Sequence, residues 1–88
     1  MSDDLKLRTA DLHWREIDGE VIGLEARGST YVAANPAGTV LWRALASGST
    51  RDRLADELMR TYGIAPERAA ADVDAFLGEL AAQGLLEG

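Results

Sequence analysis

An α+β fold, a three-stranded antiparallel sheet followed by three helices, is predicted by three features of the 88-residue chain. Asp18-Gly19 separates two strand-like segments, and Asp-Gly is among the strongest short hairpin signals. The stretch from 29 to 42, STYVAANPAGTVLW, joins a strand to a helix with almost no linker. Beyond Asn35 the apolar residues recur at three- and four-residue spacing, as in helices that bury one face.

Each element follows in order. Residues 1–10 are polar and are expected to be loose. Residues 12–17, LHWREI, alternate imperfectly and place Leu12 and Trp14 on one face of a first strand. Residues 20–25, EVIGLE, return beside it, with Gly23 marking a bulge or a close backbone approach. Arg27-Gly28 makes the next turn, and residues 29–34 form the third strand, where Thr30, Tyr31 and Val32 favour a pleated, half-buried surface. Asn35 supplies a helix-capping oxygen, and Pro36 takes the first helical position, where its missing N–H costs nothing. Val40, Leu41, Ala44 and Leu45 repeat through the first helix until Gly48 stops it. Thr50 caps the second helix, whose Leu54, Leu58 and Met59 face inward, and Gly63 follows its last turn. Pro66 opens the third helix, with Glu67 in the positive first turn. Its inward stripe is Ala69, Val73, Phe76, Leu77 and Leu80; Gly84 ends it, and Leu85 and Leu86 fold back onto the core. No repeat or second core is evident, so residues 1–88 read as one domain.

Composition narrows the function. Apolar residues make up 47% of the chain, and its nine glycines and two prolines fall mostly at element ends, as in a folded globular protein. Fifteen acidic residues against nine basic ones give a net charge of -6, a surface that repels nucleic-acid phosphate. With no cysteine, disulfides, thiolate nucleophiles and cysteine-ligated metals are all excluded. The amino terminus, MSDDLKLR, lacks the apolar core of a signal peptide, and no apolar run approaches the roughly 20 residues that span a bilayer. The expected setting is the cytoplasm, with no membrane partner.

The residues that invite chemical readings are few. His13 is the only histidine and reads as a surface residue, since neither a nucleophile nor further metal ligands accompany it in any motif. Asp72 and Asp74, two residues apart on a helix, point about 200° apart and do not act on one proton; Asp74 reads as surface solvation and helix pairing. Trp14 and Trp42 read as core, and Tyr31 fits either the core or a groove. Without a nucleophile motif, a phosphate loop or a metal cluster, the chain is not expected to be an enzyme and needs no cofactor. The helices between 50 and 83 also fit a winged helix-turn-helix regulator, whose third helix would need positive or amide side chains for the major groove. That helix carries Glu67, Asp72, Asp74 and Glu79 against Arg68 alone, the wrong surface for DNA. A different use follows from the third strand. A strand that runs straight into a capped helix leaves one edge open, and an open edge can recruit an extended peptide.

Three strings carry a resemblance over residues 12–86: TYVAANPAGTVLW at the strand-to-helix junction, GSTRDRLADELMRTYGI, and ADVDAFLGELAAQGLL. Taken together and in this order, they resemble the PqqD-like family, the leader-peptide-binding domains (RiPP recognition elements) of ribosomally synthesised, modified peptide pathways. With DLHWRE in its first strand, the chain is most similar to the stand-alone leader-binding proteins of lasso-peptide pathways with a split leader peptidase. The resemblance implies strand addition of a precursor leader along Ser29, Thr30, Tyr31, Val32, Ala33 and Ala34. It also implies a groove against the third helix, with pockets around Val73, Phe76, Leu77 and Leu80. Asp72 matches a family position near that stripe, which implies a ligand-facing or groove-shaping role. Ala34 departs from the pattern, because many relatives carry a larger apolar residue there; a wider groove and local repacking both fit. The implied partners are the leader, a leader peptidase and a cyclase, with no nucleic acid and no metal. A transcription regulator of the same layout is the alternative.

Overall fold

The computed structural model describes residues 4–9, 12–25 and 30–87. Three strands, β1 (Leu12–Ile17), β2 (Glu20–Glu25) and β3 (Thr30–Ala34), precede three helices, α1 (Pro36–Ser47), α2 (Arg51–Tyr62) and α3 (Pro66–Ala82). The sheet is antiparallel, in the order β1-β2-β3. Asp18 and Gly19 both take positive φ, 53° and 80°, the backbone of a type I′ turn that matches the twist of the strands it joins. Pairing runs unbroken from Leu12–Glu25 to Ile17–Glu20, so Gly23 is no bulge. It is a close approach instead: an added Cβ there would stand 3.2 Å from the Trp42 ring. The expected Arg27-Gly28 turn and Ser29 lie outside the described residues.

The helix boundaries follow their caps. The Asn35 side chain accepts from the Gly38 N–H at 2.8 Å, and Thr50 Oγ1 from the Arg53 N–H at 3.2 Å, each satisfying a donor that the first turn leaves open. Gly63 closes α2 in the left-handed conformation. Ala65 offers α3 no side-chain cap, but Pro66 removes one open donor and Glu67 answers the positive helix end.

Trp42, fully buried, is the largest side chain in a core shared with Val21, Leu41, Leu45, Leu54, Leu58 and Leu85. Helix α1 is the hub, touching β2, β3 and α2, whereas α3 packs mainly on α2. Two expectations are corrected. Trp14 is 39% exposed and meets Trp42 edge-on, with ring centroids 5.9 Å apart, because β1 is an edge strand that the helices cover only in part. Residues 4–9 are not loose. Leu7 is buried, its N–H donates to the Leu45 carbonyl at 3.1 Å, and Arg8 and Glu87 tie the two ends of the chain together through Leu85 and Lys6.

Candidate functional site

Backbone parity decides which groups of β3 face outward. In an antiparallel pair, successive residues present their N–H and C=O to opposite neighbours. Ile17 and Glu20 flank a two-residue turn and therefore bond each other, so Glu20, Ile22 and Leu24 face β1, and Val21 and Gly23 face β3. An independent bond agrees. The Val21 N–H points toward the end of β3 and donates to Thr39 Oγ1 at 2.9 Å, while that hydroxyl lies 3.4 Å from the Ala34 carbonyl oxygen. The buried Thr39 hydroxyl thus stands in for the last rung between β2 and β3. It follows that Val32 and Ala34, opposite Gly23 and Val21, face inward, and that Tyr31 and Ala33 aim their backbone groups at the free edge. No described residue pairs with that edge.

The opposite edge, β1, is also unpaired among the described residues but differently guarded. Glu16 sits on it in an ion pair with Arg43 of α1, and charged groups on an edge discourage strand addition. The β3 edge carries Tyr31, Val32 and Ala33 and no charge. Of the two, β3 is the edge less guarded against strand addition.

Where β3 runs into α1, two adjoining clefts of about 330 and 360 Å³ open between the start of α1 and α3. Leu58 underlies both, Asn35 and Ala37 form the α1 side, and Arg68 and Asp72 form the α3 side. Phe76 closes the end nearest β3, and Tyr62 and Ile64 close the other. Phe76 packs close to α1 because Gly38 is bare: a Cβ there would stand 3.2 Å from both the Phe76 ring and Ala34 Cβ.

The anticipated residues fall into separate groups. Thr30 to Ala34 constitute β3, while Ser29 lies outside the described residues. Tyr31, 64% exposed, stands on the outer face of the sheet, in neither the core nor the cleft. Ala34 is buried against Gly38. Asp72 and Phe76 line the cleft, and Leu77 is half-buried against the core. Val73 and Leu80, at 0% and 2% exposure, belong to the core itself and form no groove surface. Sequence reasoning passed over Asn35, Ala37, Gly38, Tyr62 and Arg68 as cleft residues. Gly38 carried only a weak signal, a glycine in the first turn of a helix.

The charged groups around the cleft and the helices are largely paired at the surface. Arg68 and Asp72 pair loosely along the α3 rim of the cleft at 3.8 Å. Arg51 of α2 forks onto Asp74 of α3 and holds its carboxyl below the ordinary range by hydrogen bonding, as Arg43 does for Glu16. His13 is exposed on the outer face of β1, beside a shallow hollow of about 540 Å³ that it shares with Arg15, Ile17, Ile22 and Leu24. Among the described residues no His, Asp or Glu cluster is able to hold a metal, and no helix is long and apolar enough to cross a membrane.

Known proteins agree with this architecture. TbiB1 in complex with the TbiA(beta) leader peptide is similar at a TM-score of 0.86 and 28% identity, covering 94% of this chain and 95% of that one. A lasso peptide synthetase B1 complexed with the leader peptide shares the fold at a TM-score of 0.83 and 20% identity, over 96% and 98% of the two chains. No curated protein matches. The model of the family described as coenzyme PQQ synthesis protein D (PqqD) matches residues 20–86, from the second strand to the end of the fold, and the chain therefore belongs to the PqqD family.

Proposed function

We propose that this protein binds the leader segment of a ribosomally made precursor peptide by antiparallel strand addition to β3, in a lasso-peptide pathway. The observation that carries the reading is the uncharged, unpaired edge at Tyr31 and Ala33, beside an apolar-floored cleft, in a PqqD-family chain similar to proteins solved with leader peptides. Main-chain bonds along the edge supply affinity, and contacts with Phe76, Leu77 and Asp72 supply selectivity. Tethering the leader raises the effective concentration of the attached core peptide at separate enzymes, a leader peptidase and a cyclase. The protein is a recognition module and not a catalyst: it supplies position, in the cytoplasm, without metal or nucleotide.

Fluorescence polarisation with the labelled leader of the precursor encoded beside this protein tests the reading. Binding at about micromolar Kd or tighter, unchanged by chelator, is expected. Absence of binding, or binding abolished by chelator, sinks it.

A further inference from the structure

The outer face of the sheet carries apolar side chains that the fold itself does not use. Directly paired residues share a face, so His13, Leu24 and Tyr31 form one row across it, and Arg15, Ile22 and Ala33 form the next. The helices lie on the other side, where Val21 is buried and Gly23 meets Trp42. Leu24 and Tyr31 are left exposed. Both rows end at β3, and they end unevenly: the first in the tyrosine ring, the second in a single methyl group. Beside Ala33 the surface therefore has a step, walled by Tyr31 along the strand and by Ile22 across it.

Tyr31 and Ala33 are also the residues whose backbone groups aim at the free edge. A residue that an added strand bonds to either of them stands directly opposite, with its side chain on the same outer face. In an antiparallel leader the partner of Ala33 comes two residues before the partner of Tyr31, and the residue between them faces the helices. The Tyr31 ring lies diagonal to the partner of Ala33, a spacing that aromatic and long side chains bridge.

We propose that the outer face of the sheet also reads the leader: the leader residue opposite Ala33 carries a large apolar side chain, which lies across Ala33 and fills the step between Tyr31 and Ile22. The inference rests on the leader-binding reading and adds to it a specificity determinant on the face away from the helices. A large side chain there covers apolar surface that water otherwise wets, and a small one leaves the step open.

The experiment is a selection from a displayed library of random 15-residue peptides on three proteins: wild type, Ala33→Tyr and Tyr31→Thr. Both positions are exposed, and tyrosine and threonine are strand formers, so neither variant disturbs the core. Wild type is expected to enrich an aromatic or long aliphatic residue at one outward position of the paired segment. Ala33→Tyr fills the step and is expected to move that position to small residues; Tyr31→Thr removes a wall and is expected to flatten its preference. The adjacent positions, which face the helices, keep their preferences in all three proteins. The wild-type winner should bind Ala33→Tyr about five-fold more weakly, and replacing its large outward residue with alanine should abolish that difference. If one variant does not fold by circular dichroism, the selection on the other decides. An unchanged preference in the folded variants, or a shift confined to the helix-facing positions, overturns the outer-face determinant while leaving leader binding intact. A wild-type selection that enriches nothing removes the leader-binding reading and this inference with it.

Discussion

Trp42 is the residue on which most of the fold converges. It fills the space beneath Gly23, meets Trp14 edge-on and has no exposed surface. Truncating a buried tryptophan costs about 3–5 kcal/mol, a large share of the 5–15 kcal/mol a typical domain possesses. Trp42→Ala is therefore expected to leave the protein largely unfolded or melting far below wild type in urea. Gly23→Ala presses on the same ring from above, and overpacking of this kind costs about 1–3 kcal/mol. A Gly23→Ala protein as stable as wild type would show that the ring shifts freely. Asp74 acts at the surface. Its carboxyl, bonded by Arg51, titrates below its unfolded value, so its contribution is present above the ordinary carboxylate range and disappears as pH falls through the folded value. Denaturant melts of Asp74→Asn and wild type should differ slightly at neutral pH and converge once acid protonates the folded-state carboxyl. A gap that widens in acid contradicts the pairing.

At the scale of elements, β3 allows folding and binding to be separated by one register step. The Val32 N–H faces β2 opposite Gly23, and the Tyr31 N–H faces the free edge. Proline removes the donor at either place, but only at Val32 does the sheet lose a rung. Val32→Pro should unfold the protein or cost about 3 kcal/mol or more, whereas Tyr31→Pro should melt near wild type and lose leader affinity by at least about ten-fold. A folded Tyr31→Pro protein that binds the leader normally places the leader elsewhere. The turns that aim this strand were legible because their physics is local: Asp18-Gly19 and Asn35-Pro36 act within one turn of chain. The division of α3 was not. Periodicity identified its inward stripe, but which members are sealed depends on where α2 ends and the sheet begins; α3 lies on α2, so Val73 and Leu80 vanish into the core while Phe76 reaches past α2 to Gly38. The Thr39 rung and the tie between residues 4–9 and the carboxyl-terminal leucines join positions far apart in sequence, and no short-range signal announces such pairs.

The whole molecule is small and acidic, with a radius of gyration of 12.6 Å and a net charge of -6, and both properties bear on what it binds. A core this size has little to spare, so the strap at residues 4–9 counts toward stability: Leu7→Ala is expected to cost about 2–5 kcal/mol by urea melting, although it lies far from β3 and should leave the leader affinity of the folded fraction unchanged. The charge discriminates between leader binding and the alternative of a DNA-binding regulator. Duplex binding is dominated by counterion release from phosphates, which requires a row of cations. The exposed side of α3 presents Glu67, Asp72, Asp74 and Glu79 with Arg68 as its one base, and Arg68 already leans on Asp72. Binding through a strand edge and an apolar cleft rests on main-chain bonds and buried area, which salt screens weakly. Raising salt from about 0.05 to 0.5 M should therefore change leader affinity by no more than a few-fold, where a protein with 6–10 phosphate contacts would lose several orders of magnitude. Gel shift with random and promoter-derived duplex at low salt completes the comparison. A salt-sensitive shift at nanomolar protein, with leader affinity absent, would reassign the α3 face to nucleic acid.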